Sequence, residues 1–182
     1  MTMNYEELDE TTRESMLREF EAEEAGGRPY RSKDLSAAGR AAFTGHMRDA
    51  IRQGTEVTLG PALSQPHYWN PTGRRTVKGV DRTYTINPGF AAERLALTEF
   101  STWYVHGFAA RLLAEGVTRC EIYRGAEPKG EPAECSQHEG QIVAVQLVYD
   151  GHRARYWPEP GDPTAFSIPA HPNCHHLIRR LQ

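Results

Sequence analysis

Little in this chain would carry it out of a reducing cytosol or into a membrane. Its 182 residues include only three cysteines, Cys120, Cys135 and Cys174, which cannot form a disulfide framework without a leftover. No apolar run approaches the ~20 residues that cross a bilayer. The opening MTMNYEELDE lacks the basic and apolar regions of a secretory signal. The expectation is a soluble protein made and kept in a cytosol. Positive charge is not in excess either. The 21 Lys and Arg face 24 Asp and Glu, a net charge of -3, which argues against a dedicated nucleic-acid binder. Lysine is confined to Lys33, Lys78 and Lys129, so the basic side chains are almost all arginine. Internal repeats and low-complexity segments are absent as well.

What is present is a globular composition, 38% hydrophobic and 25% charged, in a length that suits one domain with a helical appendage. Three segments are expected. Residues 1–53 form an N-terminal helical segment. Within it Tyr5 to Glu24 places Leu8, Met16, Leu17 and Phe20 among acidic residues, and Ser36 to Gln53 repeats a helical pattern that Gly39 and Gly45 weaken. Residues 54–88 form an extended Gly/Pro/aromatic arm, with a short strand or two around Val77–Ile86 and an exposed Gly73–Arg74–Arg75. Residues 89–182 form an α+β module.

The clearest helix runs from about Phe90 to Glu115, with Asn87 as cap, Pro88 in the first turn and Gly116 as stop. Ala92, Leu95, Ala96, Glu99, Trp103, Gly107 and Ala110 share one face of it. Glu99 is either a surface acid at the stripe's edge or a partly buried one paired with an arginine such as Arg119 or Arg124. A strand VTRCEIYRG follows, with Cys120 as a small core residue. QIVAVQLVYDGHRARYW then reads as a hairpin turning at Asp150–Gly151.

Two short-spaced donor pairs flank that hairpin: Cys135-x-x-His138 and His171-x-x-Cys174. A tight turn aims each pair at one ion, Gly140 and Pro172 suit such turns, and four N/S donors match the tetrahedron zinc prefers. His175 and His176 are spare donors, and His176 can stand in for His171 or His138. Catalytic signatures are missing. There is no H-E-x-x-H, no deaminase H-x-E with P-C-x-x-C, no phosphate-binding glycine loop and no G-x-S-x-G. A structural zinc clip, with no catalytic residue, is the better reading. The fold expected is therefore α+β: N-terminal helices and a long central helix, then a small antiparallel sheet clipped by zinc.

The order of these features resembles the phage Mu F-like (MuF) minor head proteins, the phage head-morphogenesis family. The similarity covers about Pro88 to Leu181. It consists of the helix ERLALTEFSTWYVHGFAARLLAEGV with Thr98–Glu99, a strand, Cys135 with Gly140, and HPNC at His171, Pro172, Asn173 and Cys174. Relatives usually carry cysteine where this chain has His138 and His176, an exchange of one zinc ligand type for another. The resemblance implies a structural minor capsid protein of a phage or prophage, assembled in the host cytoplasm and residing in the virion head. It would assist capsid assembly near the portal, with the portal or major capsid protein, or other copies of itself, as partners, and no membrane. Packaged DNA is a further contact, offered by Arg-bearing edges such as His152–Arg153–Arg155 and Arg179–Arg180. The alternative is a zinc-dependent hydrolase or HNH-like nuclease, with Glu134 or Glu139 as base.

Overall fold

The structure, a computed structural model, describes residues 2–77, 79–127, 137–171 and 174–181. Among the described residues it is a mixed α+β chain with five α-helices and two small antiparallel sheets. Two compact units divide it: residues 1–30 with 98–182, and residues 31–97. These do not follow the divisions at 53 and 88 expected from composition. Among the described residues no helix is long and apolar enough to cross a membrane.

In the first unit, helix α1 (Glu10–Ala25) starts where the Asp9 carboxylate accepts from the Thr12 N–H at 2.9 Å, satisfying one of the orphan donors of the first turn. Its Met16 and Phe20 are fully buried, as the pattern predicts. Helix α4 (Pro88–Ala114) is the long central helix, and the boundary between the units at 97/98 falls within it. Asn87 caps it through the Phe90 N–H, 3.2 Å away. Gly116, at φ +76°, ends it with a bond from its N–H to the Leu113 carbonyl. That left-handed conformation is what glycine tolerates at a helix stop.

The expected apolar stripe of α4 is buried, but the C-terminal half of the helix is buried more widely. Phe100, Tyr104, Val105, Phe108, Ala109 and Leu112 lie within 1% of zero exposure, so this half is a core helix rather than a half-wetted one. Helix α1 crosses it at Gly107, where a β-carbon would lie 2.5 Å from Met16 Cα. Arg111 ties the same two helices, donating to the Asp9 carboxylate at 2.7 and 2.9 Å.

Strand β3 (Arg119–Arg124) is the middle of a three-stranded sheet with β4 (Ile142–Ala144) on one side and β5 (His176–Arg180) on the other, both antiparallel. Cys120 and Ile122 are fully buried, as expected. The hairpin expected over 141–157 is not formed. After three residues of β4 the chain turns into helix α5 (Val145–Asp150). Alternation would put Val143, Val145 and Leu147 on one face. Instead Val145 and Val148 are buried, three residues apart, and Leu147 is 46% exposed, which is helical spacing. The partner strand comes from HLIRR, the segment following the HPNC motif.

The second unit holds helices α2 (Ala37–Gln53) and α3 (Glu56–Leu63), a 3-10 turn at Pro66–Tyr68, and a hairpin of β1 (Thr72–Val77) and β2 (Val80–Thr85). The stretch read as an extended arm is thus a helix and a hairpin. Leu35, Phe43, Met47, Ile51, Leu59 and Leu63 form its buried centre, and the Trp69 indole N–H donates to the Leu63 carbonyl at 2.8 Å.

Candidate functional site

The described segments of the two motifs, residues 137–141 and 174–176, both border β3. On the β4 side, the turn 137–140 is stitched to β3: the Gly140 N–H donates to the Ile122 carbonyl at 2.8 Å, and the Ile122 N–H to the Gln141 carbonyl at 2.9 Å. Gly140 makes that turn at φ +76°. On the β5 side, His176 pairs in register with Arg124, and the Gly125 N–H donates to the His175 carbonyl. Consecutive residues at the end of one strand therefore anchor the loop bearing His138 and the segment bearing Cys174 and His176.

Cys174 and His176 are both buried, with Sγ 3.5 Å from Nδ1. A β-strand residue pointing back at the residue two before it is the geometry that shares one face. His138 has a buried Nδ1 with no hydrogen-bond partner among the described residues, the kind of orphaned nitrogen that a metal satisfies. His171 lies in the preceding turn, its carbonyl accepting from the Cys174 N–H at 2.9 Å. Cys135 lies outside the described residues. Among the described residues no three His, Cys, Asp or Glu side chains form a group that could hold a metal ion. What these residues supply is a Cys174–His176 pair, while the His138 ring stands edge-on to Phe166 at 6.0 Å between centres. The donor types fit zinc: one thiol and imidazoles, with no carboxylate competing. Of the two bases expected for a hydrolase, Glu134 lies outside the described residues and Glu139 is held by Arg124, whose Nε and Nη2 donate to one carboxylate oxygen at 2.9 and 2.7 Å.

A second constellation was only partly legible. Glu99 is buried, as one of its two readings required, but its partner is Arg153 rather than Arg119 or Arg124. Arg153 Nη2 and Nη1 donate to the two Glu99 oxygens at 2.7 and 3.1 Å, and both side chains are 1% exposed. Arg119 and Arg124 sit on β3 and are used there, Arg119 reaching the Ile142 carbonyl and Arg124 reaching Glu139. The guanidinium of Arg153 also stacks over Tyr30 and Trp103, at 4.8 and 5.3 Å from the ring centres. Burial alone would lower the Arg153 pKa, and the Glu99 carboxylate outweighs it. Arg153 adopts φ +56°, a left-handed conformation costly for a non-glycine residue. The ion pair and the ring contacts hold it there.

Around that pair, His106 and His152 stack with centres 3.9 Å apart. His152 Nε2 meets the Glu23 carboxylate at 3.3 Å, and His106 Nε2 meets Glu19 at 3.4 Å. Burial holds both imidazoles neutral, His106 down to about 3 and His152 down to about 4. Burial would raise Glu23, but the His152 hydrogen bond and the Arg153 charge bring it down to about 2. The sequence signals were Glu19 and Glu23, four apart on α1, and Glu99, Trp103 and His106 at helical spacing on α4. The cluster is buried and interlocked save for His106 Nδ1 and Arg153 Nε, which lack a hydrogen-bond partner among the described residues, and it suits positioning of the loop after α5 on α4 and α1.

Of the arginines expected to meet DNA, Arg153, Arg179 and Arg180 are paired with carboxylates. Arg153 is buried against Glu99. Arg179 donates to Glu121 and Glu6, and Arg180 to Glu7 and Glu115. No family model, curated protein or solved structure matches the chain.

Proposed function

We propose that the chain is a structural minor head protein of a phage or prophage, in which a zinc ion clips the end of the β4–β3–β5 sheet and the module serves as a rigid contact platform near the portal. The observation that carries this reading is the buried Cys174–His176 pair, with Sγ 3.5 Å from Nδ1, on a segment that borders β3, the strand to which the turn bearing His138 is also hydrogen-bonded. Cys174, His176 and His138 would hold the ion, with Cys135 and His171 as the remaining candidates. Zinc would supply crosslinking of two loops, a folding contribution in a small sheet that has only three strands.

The zinc-hydrolase alternative is less well supported, since Glu139 is engaged by Arg124 and a general base has to reach the water it activates. Co-expression with the portal and major capsid proteins of the same genome tests the reading. The protein should sediment with assembled heads and crosslink to portal or capsid subunits. A protein that stays entirely in the free fraction while heads assemble contradicts it.

A further inference from the structure

The hairpin β1–β2 carries Arg74, Arg75 and Arg82, all exposed. Arg75 and Arg82 stand directly opposite one another across the ladder, a placement of like charges that weakens a hairpin. Among the described residues none of these three arginines forms a salt bridge. Their only acidic neighbour in the ladder, Asp81, is engaged by the Thr76 hydroxyl at 2.6 Å. Elsewhere in the chain Arg111, Arg124, Arg153, Arg179 and Arg180 are each matched to a carboxylate. In a chain of net charge -3, the Arg75–Arg82 pair, with Arg75 over the Tyr84 ring at 5.7 Å and neither arginine in a salt bridge among the described residues, is a local concentration of positive charge.

The base of the ribbon is anchored while its length is not. The Tyr84 hydroxyl donates to Asp34 at 2.8 Å, Gly73 packs so closely on Tyr84 that a β-carbon would meet the ring at 2.5 Å, and the Ile86 N–H donates to the Pro71 carbonyl. Beyond that anchor β2 exposes every residue except Tyr84. A two-stranded antiparallel ribbon fits the ~12 Å major groove of B-form DNA, whereas the A-form RNA groove is too narrow for side chains. Alternation sets Arg75 and Arg82 together on one face of the ribbon, and Arg74 on the other with Thr72, Thr76, Thr83 and Thr85.

We infer that the β1–β2 hairpin is a docking ribbon for duplex DNA, held through its phosphates by the opposed pair Arg75 and Arg82. This does not rest on the head-protein reading, because the binding belongs to the purified chain in solution and would stand if association with heads failed. The test is fluorescence anisotropy of the full chain with a short labelled duplex across a salt series. Two phosphate contacts give a slope of log K against log salt of about -1.8, a roughly twelve-fold loss between about 50 and 200 mM salt. Replacing Arg75 and Arg82 together by Gln should abolish that slope, while Arg179→Gln, whose arginine is already paired with Glu121, should leave it. If the double variant loses its circular dichroism, Arg82→Gln alone should still lower the slope by about 0.9. Absence of salt-dependent binding by the native chain, an unchanged slope in these variants, tighter binding to an RNA duplex, or displacement of the DNA by polyglutamate at equal charge would each overturn the inference.

Discussion

Glu99 and Arg153, 54 positions apart, meet in a two-pronged ion pair in which each side chain is 1% exposed. Removing one partner leaves an uncompensated buried charge, a loss of about 3–5 kcal/mol. Arg153→Met or Glu99→Leu alone should therefore unfold the chain at much lower denaturant. The double variant, which removes both charges, should recover a large part of that loss. Urea unfolding of the four proteins checks this. Additive losses in the double variant would show that the two residues act separately.

The His106–His152 stack makes the fold acid-sensitive in a stated direction. Both imidazoles have folded-state values below the ordinary 6.5, about 3 and about 4, so the unfolded chain binds protons first. Their destabilisation is absent above about 6.5 and grows as pH falls toward 4, by about 1.4 kcal/mol per pH unit for each histidine. Glu23, held at about 2 against its usual 4.5, stabilises above 4.5 and loses that contribution as pH falls further, in the same direction. Thermal melts from pH 7 to pH 4 should show a falling Tm, and His152→Gln should flatten the upper part of that fall. A Tm indifferent to pH in this range would mean that the cluster is open to water.

At Gly107 two effects of opposite sign compete. Replacing a helical glycine by alanine gains about 0.5–1 kcal/mol of backbone preference. Here the new β-carbon would lie 2.5 Å from Met16 Cα and 2.6 Å from Met16 N, both backbone atoms of α1, and forced overpacking costs about 1–3 kcal/mol. Gly107→Ala should lower Tm. The same change at Gly45, where nothing lies within 4 Å, should raise it slightly, since only the backbone term acts there.

Burial pushes the Cys120 thiol up to about 11, so it is protonated and shielded at neutral pH. A thiol reagent applied to the folded protein should leave Cys120 unmodified, and mass spectrometry of the labelled peptides reads this directly. Rapid native labelling of Cys120 would place it outside the core.

Sequence periodicity made α1, α2, α4 and β3 legible because each buries one regularly spaced face: Met16 and Phe20, Phe43 and Met47, Ala92 through Trp103, Cys120 and Ile122. It failed at 141–157, where the apolar residues of IVAVQLV satisfy alternation and helical spacing equally well, and only the burial of Val145 and Val148 decides. The partner strand from HLIRR was hidden behind the interest of its own histidines. Composition marked 54–88 as a loop because Gly60 and Pro61 sit within α3, where tertiary packing of Leu59 and Leu63 overrides propensity. Glu99 was recognisable as an acid out of place on an apolar stripe. Its partner was not, because Arg153 lies in a turn whose left-handed backbone no spacing rule anticipates. The two donor pairs were visible as motifs; that the 137–141 turn and the 174–176 segment both border β3 required the sheet order.

The measurement that bears most directly on the zinc-clipped platform is metal content of the purified chain, followed by chelation with the fold monitored by circular dichroism. One zinc per chain is expected, lost on chelation together with strand signal and thermal stability, and diminished by Cys174→Ser or His176→Ala. A protein that is metal-free as purified, fully folded and indifferent to chelator would contradict it.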